Sequence, residues 1–255
     1  MNPFQSLSIA CKKIKMKLLV IILTAYLSLG KSAGEPSPTI IPRENGLRGS
    51  GITTRYWDCC KPSCSWADLA NYSKTGKPVA SCSVDGATQI DAGAQSGCAE
   101  DGSGEAYTCS NQQPFIVNST LAYGFAAASF TGGEDYGWCC SCMLLSFQGQ
   151  LAGKQLLVQV TNTGSPLAVN QFDIEIPGGG VGLFPHGCAA QWGADPESGW
   201  GERYGGVSSA EECSQLPESL QEGCRWRFGF MEGAWVCFPM VVLRSGELIR
   251  KRAGA

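Results

Sequence analysis

The chain has 255 residues, enough for one domain of ordinary size plus extra segments, with 19 basic against 22 acidic side chains. Fourteen cysteines, 13 of them between Cys59 and Cys237, argue for an oxidising compartment. A single histidine, His186, and no repeated Cys-x-x-Cys pair disfavour a zinc site, and no metal or organic cofactor is implied.

Lys12, Lys13, Lys15 and Lys17 precede a mostly apolar run, Leu18 to Leu29, and then the small residues Ser32, Ala33 and Gly34. This order reads as a signal peptide over 1–33, with Met16 as an alternative start. The competing reading is a retained signal anchor, for which the run is short. Without residues 1–33 the balance is 14 basic against 22 acidic, or −8. An acidic surface is a poor partner for nucleic acid, and no membrane contact is expected after cleavage. The protein is expected to be secreted and monomeric. Residues 34–50, rich in Pro and Gly, read as a linker or disordered arm.

From Gly51 the chain is rich in turns. Thr53 to Trp66 gathers Tyr56, Trp57, Asp58, Cys59, Cys60 and Cys64. Bridges leaving Cys59 and Cys60 in different directions would pin the backbone beside Asp58. A fixed acid beside aromatic faces suits a sugar ring, the aromatics stacking on it and the acid moving protons. The alternative is a disulfide knot with a solvated Asp. Tyr56, Trp57 and Trp66 read as sugar-binding faces or, taken singly, as core.

Tyr123–Ser129, with its alanines, reads as a short buried helix. Met143–Phe147, Leu156–Thr161 and Phe172–Ile176 read as strands. Ser209–Leu220 reads as a helix with a Ser209/Glu212 capping box, interrupted by Pro217. Gly178 and Gly179, in the turn after Pro177, either admit a sugar chain close to the backbone or make a plain tight turn. Sequons stand at Asn71 and Asn118. Residues 241–255, with Arg244, Arg250, Lys251 and Arg252, read as a solvated tail. His186 has no Ser or Cys partner in a known triad motif.

Thr54-Arg-Tyr-Trp-Asp-Cys-Cys-Lys-Pro-Ser-Cys64 and Phe172-Asp-Ile-Glu-Ile-Pro-Gly-Gly-Gly-Val-Gly182 together resemble the signatures of glycoside hydrolase family 45, small secreted endoglucanases. The likeness extends through Gly137–Cys142, Arg203–Gly206 and Cys224–Phe228 and covers about residues 51–240, taken as the catalytic domain. It implies a mostly-β domain built on a six-stranded double-psi β-barrel. It implies an inverting endo-β-1,4-glucanase acting on cellulose or a related β-glucan such as xyloglucan. Asp58 would be the base and Asp173 the acid. Inversion asks for two carboxyls about 6.5–9.5 Å apart, with a water between. Asp173, flanked by Phe172 and Ile174, suits a raised pKa. The alternative from another class is a non-hydrolytic, expansin-like wall-binding protein on the same barrel.

By resemblance, Cys59 pairs with Cys188, Cys60 with Cys98, Cys64 with Cys139, Cys82 with Cys109, Cys142 with Cys237 and Cys213 with Cys224, leaving Cys140 over. Pro166 stands where the family commonly has an assisting Asp, which implies a slower enzyme.

Overall fold

The computed structural model describes residues 38–42, 44, 46, 48–69, 76–131, 135–163, 170–233 and 240–249. The span read as a signal peptide, the Asn71 sequon, Pro166 and Cys237 lie outside them. The strands are β1 (Thr39–Pro42), β2 (Arg48–Tyr56), β3 (Phe115–Ile116), β4 (Leu121–Ser129), β5 (Cys142–Phe147), β6 (Gln155–Thr163), β7 (Gln171–Glu175) and β8 (Met240–Ile249). Two α-helices follow β7: α1 (His186–Trp192) and α2 (Glu218–Gly229). No helix among the described residues is long and apolar enough to cross a membrane.

Six strands close a ring in the order β8-β2-β7-β4-β6-β5, with β5 returning to β8. β2 runs parallel to β7 and β4 parallel to β6; the other ring contacts are antiparallel. This ring is the expected double-psi β-barrel. Closing a sheet on itself removes exposed edges. β1 pairs with the far half of β8, and β3 pairs with β4.

Alternation fills the interior. Leu156, Val158 and Val160 of β6, Met143 and Leu145 of β5, and Phe172 and Ile174 of β7 are buried together. Phe130 packs edge-on against both Trp138 and Phe172. Each large apolar side chain so buried contributes about 1.5–3 kcal/mol. A second core lies under the helices, where Trp57, Val181, Leu216, Leu220 and the Cys59, Cys188, Cys213 and Cys224 sulfurs meet.

Four readings change. Tyr123–Ser129 is strand β4, not a helix. It lies between β6 on one side and β3 and β7 on the other. Ala126 and Ala128 leave room in the core for Phe172, so small size rather than helix propensity explains them. The helix over Ser209–Leu220 is instead a 3-10 turn, Glu212–Gln215, followed by α2. Pro217, lacking an N–H, stands at the N-cap of α2. The Glu212 N–H donates to the Ser209 hydroxyl at 3.4 Å, the expected half of the box, while the Glu212 carboxylate accepts from the Ser208 N–H at 2.7 Å and the Ser208 hydroxyl at 2.9 Å, one residue earlier. The span read as a linker contains β1 and the first residues of β2. The span read as a tail contains most of β8, whose Val241, Val242 and Ile249 favour a strand.

Five of the expected bridges are present: Cys59–Cys188, Cys60–Cys98, Cys64–Cys139, Cys82–Cys109 and Cys213–Cys224. The sixth, Cys142–Cys237, has one partner outside the described residues.

Candidate active site

The parallel pairing of β2 with β7 sets Thr54 opposite Asp173 and Tyr56 opposite Glu175. Phe172 and Ile174 point into the barrel core, so Asp173 and Glu175 share the other face. Beyond the end of β2, the Trp57 N–H donates to the Gly180 carbonyl at 2.8 Å. This carries the chain across the Gly-rich turn that follows β7 and delivers Asp58 beside Asp173.

Asp58 is only 7 % exposed. Its Oδ1 accepts the Cys60 N–H at 2.9 Å. Between them Cys59 has φ 64°, a left-handed conformation that costs a non-glycine residue energy. Its bridge to Cys188 on α1, and that of Cys60 to Cys98, hold the bend. α1 backs directly onto it: a Cβ on Gly187 would collide with the Asp58 carbonyl and the Cys98 sulfur.

Burial raises the Asp58 carboxyl to about 7, opposed by the Cys60 N–H and reinforced by the Asp173 charge. Asp173 is raised to about 6, again by burial first; the Thr54 hydroxyl and the Arg55 charge pull it back. Arg55 itself donates from Nε and Nη2 to the Gly205 carbonyl, at 3.1 and 2.8 Å. The Asp173 Oδ1 is buried with no hydrogen-bond partner among the described residues. Two acids are thus shifted towards neutrality and lie within each other's field.

The other sequence candidates divide. Tyr56 lies beside the pair, its hydroxyl donating to Glu175 Oε1 at 3.1 Å and accepting from Asn162 Nδ2 at 3.0 Å. Trp57 is 3 % exposed in the second core and offers no face to a ligand. Trp66 is half-buried, with the Lys61 ammonium 3.6 Å from its ring centroid. That ammonium also donates to the carbonyls of Ala92 and Ala94, both at 2.7 Å, so the stack locks a loop. Gly178 and Gly179 are buried, and internal packing accounts for them. Val207, Leu216 and Cys224 cover Gly178 (φ 71°), and the Tyr56 backbone covers Gly179. The tight-turn reading therefore holds, and neither glycine offers a surface for a sugar.

Sequence reasoning passed over three groups. Glu175, two residues after Asp173, is a second acid on the same strand face; period two was the available signal. Phe184 and Tyr204, 52 % and 68 % exposed, stand on loops joined where the Gly182 N–H meets the Arg203 carbonyl at 2.9 Å. Both rings are exposed, and the Arg203 guanidinium lies 5.7 Å from the centroid of Tyr204. Among the described residues, no cluster of His, Cys, Asp and Glu is set to hold a metal ion.

The chain is similar to known endoglucanases. An endoglucanase of Phaedon cochleariae is 56 % identical over 214 residues, 84 % of this chain and 86 % of that one. An endoglucanase of Cryptopygus antarcticus is 53 % identical over 197 residues, 76 % and 84 % of the two chains. The crystal structure of the cellulase from that Antarctic springtail superposes with a TM-score of 0.71 at 51 % identity, covering 78 % of this chain and 91 % of that one. Residues 50–240 match the family described as Glycosyl hydrolase family 45, and the chain belongs to that family.

Proposed function

We propose that this protein is a secreted endo-β-1,4-glucanase that hydrolyses cellulose or a related β-glucan with inversion, Asp58 acting as base and Asp173 as acid. The observation that carries the reading is a pair of carboxyls, Asp58 just beyond β2 and Asp173 in the middle of β7, both raised by burial, with the Asp173 charge adding to the rise at Asp58. The endoglucanases among its relatives favour turnover over a binding-only, expansin-like role.

The chemistry follows from proton placement. The Asp173 proton passes to the departing glycosidic oxygen as the C–O bond breaks. A water deprotonated by Asp58 attacks the anomeric carbon from the opposite face. In the free protein the pair holds one proton between about pH 6 and 7, and the deeper burial of Asp58 favours its place there. Asp58 is already buried, whereas Asp173 keeps some contact with water. A sugar laid over Asp173 strips that water and raises its pKa, moving the proton to the acid. Phe184 and Tyr204 supply apolar faces for flanking sugars.

Two measurements test this. Proton NMR of fresh product from barley β-glucan or carboxymethylcellulose is expected to show the α-anomer first; an initial β-anomer overturns inversion. The profile of kcat/KM against pH is expected to be a bell with limbs near 6 and 7. Below the lower limb both acids carry protons and no base remains; above the upper limb the shared proton is gone and no acid remains. A flat profile from pH 4 to 9 would remove the pair from the reaction.

A further inference from the structure

Glu175 is the buried acid that the reaction above leaves unused. It is 2 % exposed, and its Oε1 accepts hydrogen bonds from both the Tyr56 and the Thr161 hydroxyls. A bulge brings Thr161 to it. The register of β4 on β6 passes from Ala126↔Val160 to Ala127↔Asn162, skipping Thr161. Bulges re-aim side chains in this way. The next residue, Asn162, donates from Nδ2 to the Tyr56 hydroxyl and accepts the Ser63 N–H on Oδ1 at 3.1 Å. The Thr163 N–H donates to the Ser63 hydroxyl at 2.7 Å. A continuous chain of hydrogen bonds therefore runs from Glu175 through Tyr56 and Asn162 to the segment just after Asp58.

The Glu175 Oε2 is buried without a hydrogen-bond partner among the described residues. An ionised carboxylate would leave a charged oxygen bare there, whereas the neutral acid leaves only a hydroxyl. The ionisable groups that bear on it are Tyr56 from β2, Asp58 beyond it and Asp173 on its own strand, and none is a cation. β6 contributes only Thr161 and Asn162. Burial accordingly pushes Glu175 up to about 8, against the two hydroxyl hydrogen bonds.

We propose that Glu175 is a positioning residue for this site, held as the neutral acid, which fixes the Tyr56 phenol and, through Asn162 and Ser63, the segment that carries Asp58. The role rests on the hydrolytic reading above. Neutrality matters to it, because a third negative charge here would oppose ionisation of the base.

Infrared difference spectra of wild type against Glu175→Gln at pH 6.5 need no substrate. The substitution is expected to remove a protonated-carboxyl carbonyl band; loss of a carboxylate band instead overturns the neutral acid. In kinetics on carboxymethylcellulose, Glu175→Ala and Tyr56→Phe are each expected to lower kcat by about ten- to a hundredfold, as small misplacements in a site do. The double variant is expected to fall little further than either single one, because both cut the same chain. Glu175→Gln, which keeps the acceptor, is expected to recover most of the loss. A folded Glu175→Ala protein with wild-type kcat, or losses that simply multiply in the double variant, overturns the positioning role alone. If Glu175→Ala does not fold, a Tyr56→Phe variant with wild-type kcat overturns it. A wild type without turnover on any β-glucan removes the hydrolytic reading and this role with it.

Discussion

Asp58→Asn is expected to lower kcat on a soluble β-glucan by about 10²–10⁴-fold, and Asp173→Asn by a similar factor, the usual worth of a general base or acid. The two amides keep shape and hydrogen-bonding reach, so circular dichroism should stay that of the wild type. The same Asp58 substitution is expected to stabilise the fold. A carboxyl raised from 3.8 to about 7 by burial costs nothing below pH 3.8, where it is protonated in both folded and unfolded chains. The cost grows as pH climbs between those values and is complete above about 7, on the order of a few kcal/mol. Urea midpoints of Asp58→Asn and wild type should therefore coincide near pH 3 and separate in favour of the variant by pH 8. A variant that keeps near-native turnover would strip Asp58 of its role. One that gains no stability at pH 8 would mean that the carboxylate is better solvated than its burial indicates.

Replacing both Cys59 and Cys188 by Ala is expected to cost about 4–5 kcal/mol, because the bridge closes a separation of 129 residues. For a domain of this size that corresponds to a fall in Tm of roughly 8–20 °C. Activity should fall too, since this bridge holds Cys59 at φ 64°, next to Asp58. Removing Cys213–Cys224, which closes a separation of only 11 residues far from the acids in sequence, should cost less stability and spare kcat. Differential scanning calorimetry with kinetics on both variants checks this. Equal effects on kcat from the two would show that the bend at Cys59 does not depend on its own bridge.

Much of this was legible in the chain, though not all by the same means. β5, β6 and β7 announce themselves through short β-branched and apolar runs between glycines. Asp58 and Asp173 stand out through the motifs around them, and the bridge pattern came with the family likeness rather than from spacing. What stayed hidden depends on distant neighbours. β4 reads as a helix because alanine is the best helix former; only the strands on both sides explain why nothing larger fits. Trp57 sits beside the acid in sequence, yet the Cys59 bend turns it under α1. Glu175 gained meaning only when β6 bulged and presented Thr161. Phe184 and Tyr204 are unremarkable in sequence, and only the folded loops, joined by the Gly182 N–H and the Arg203 carbonyl, show both rings exposed.

The ring of strands also sets the order in which the molecule can come into being. β2 is the first barrel strand to leave the ribosome, and its Arg48 pairs with Leu243 near the end of the chain. β5, made midway, waits for the same strand, its Leu144 also meeting Leu243. Until β8 arrives, both edges of the unfinished sheet stand open, and each can recruit a stranger's strand. Contacts this far apart in sequence make for slow folding. Closure of this barrel thus waits for β8, the last of its strands in sequence, and the strands made before it gain nothing by pairing with one another's open edges first.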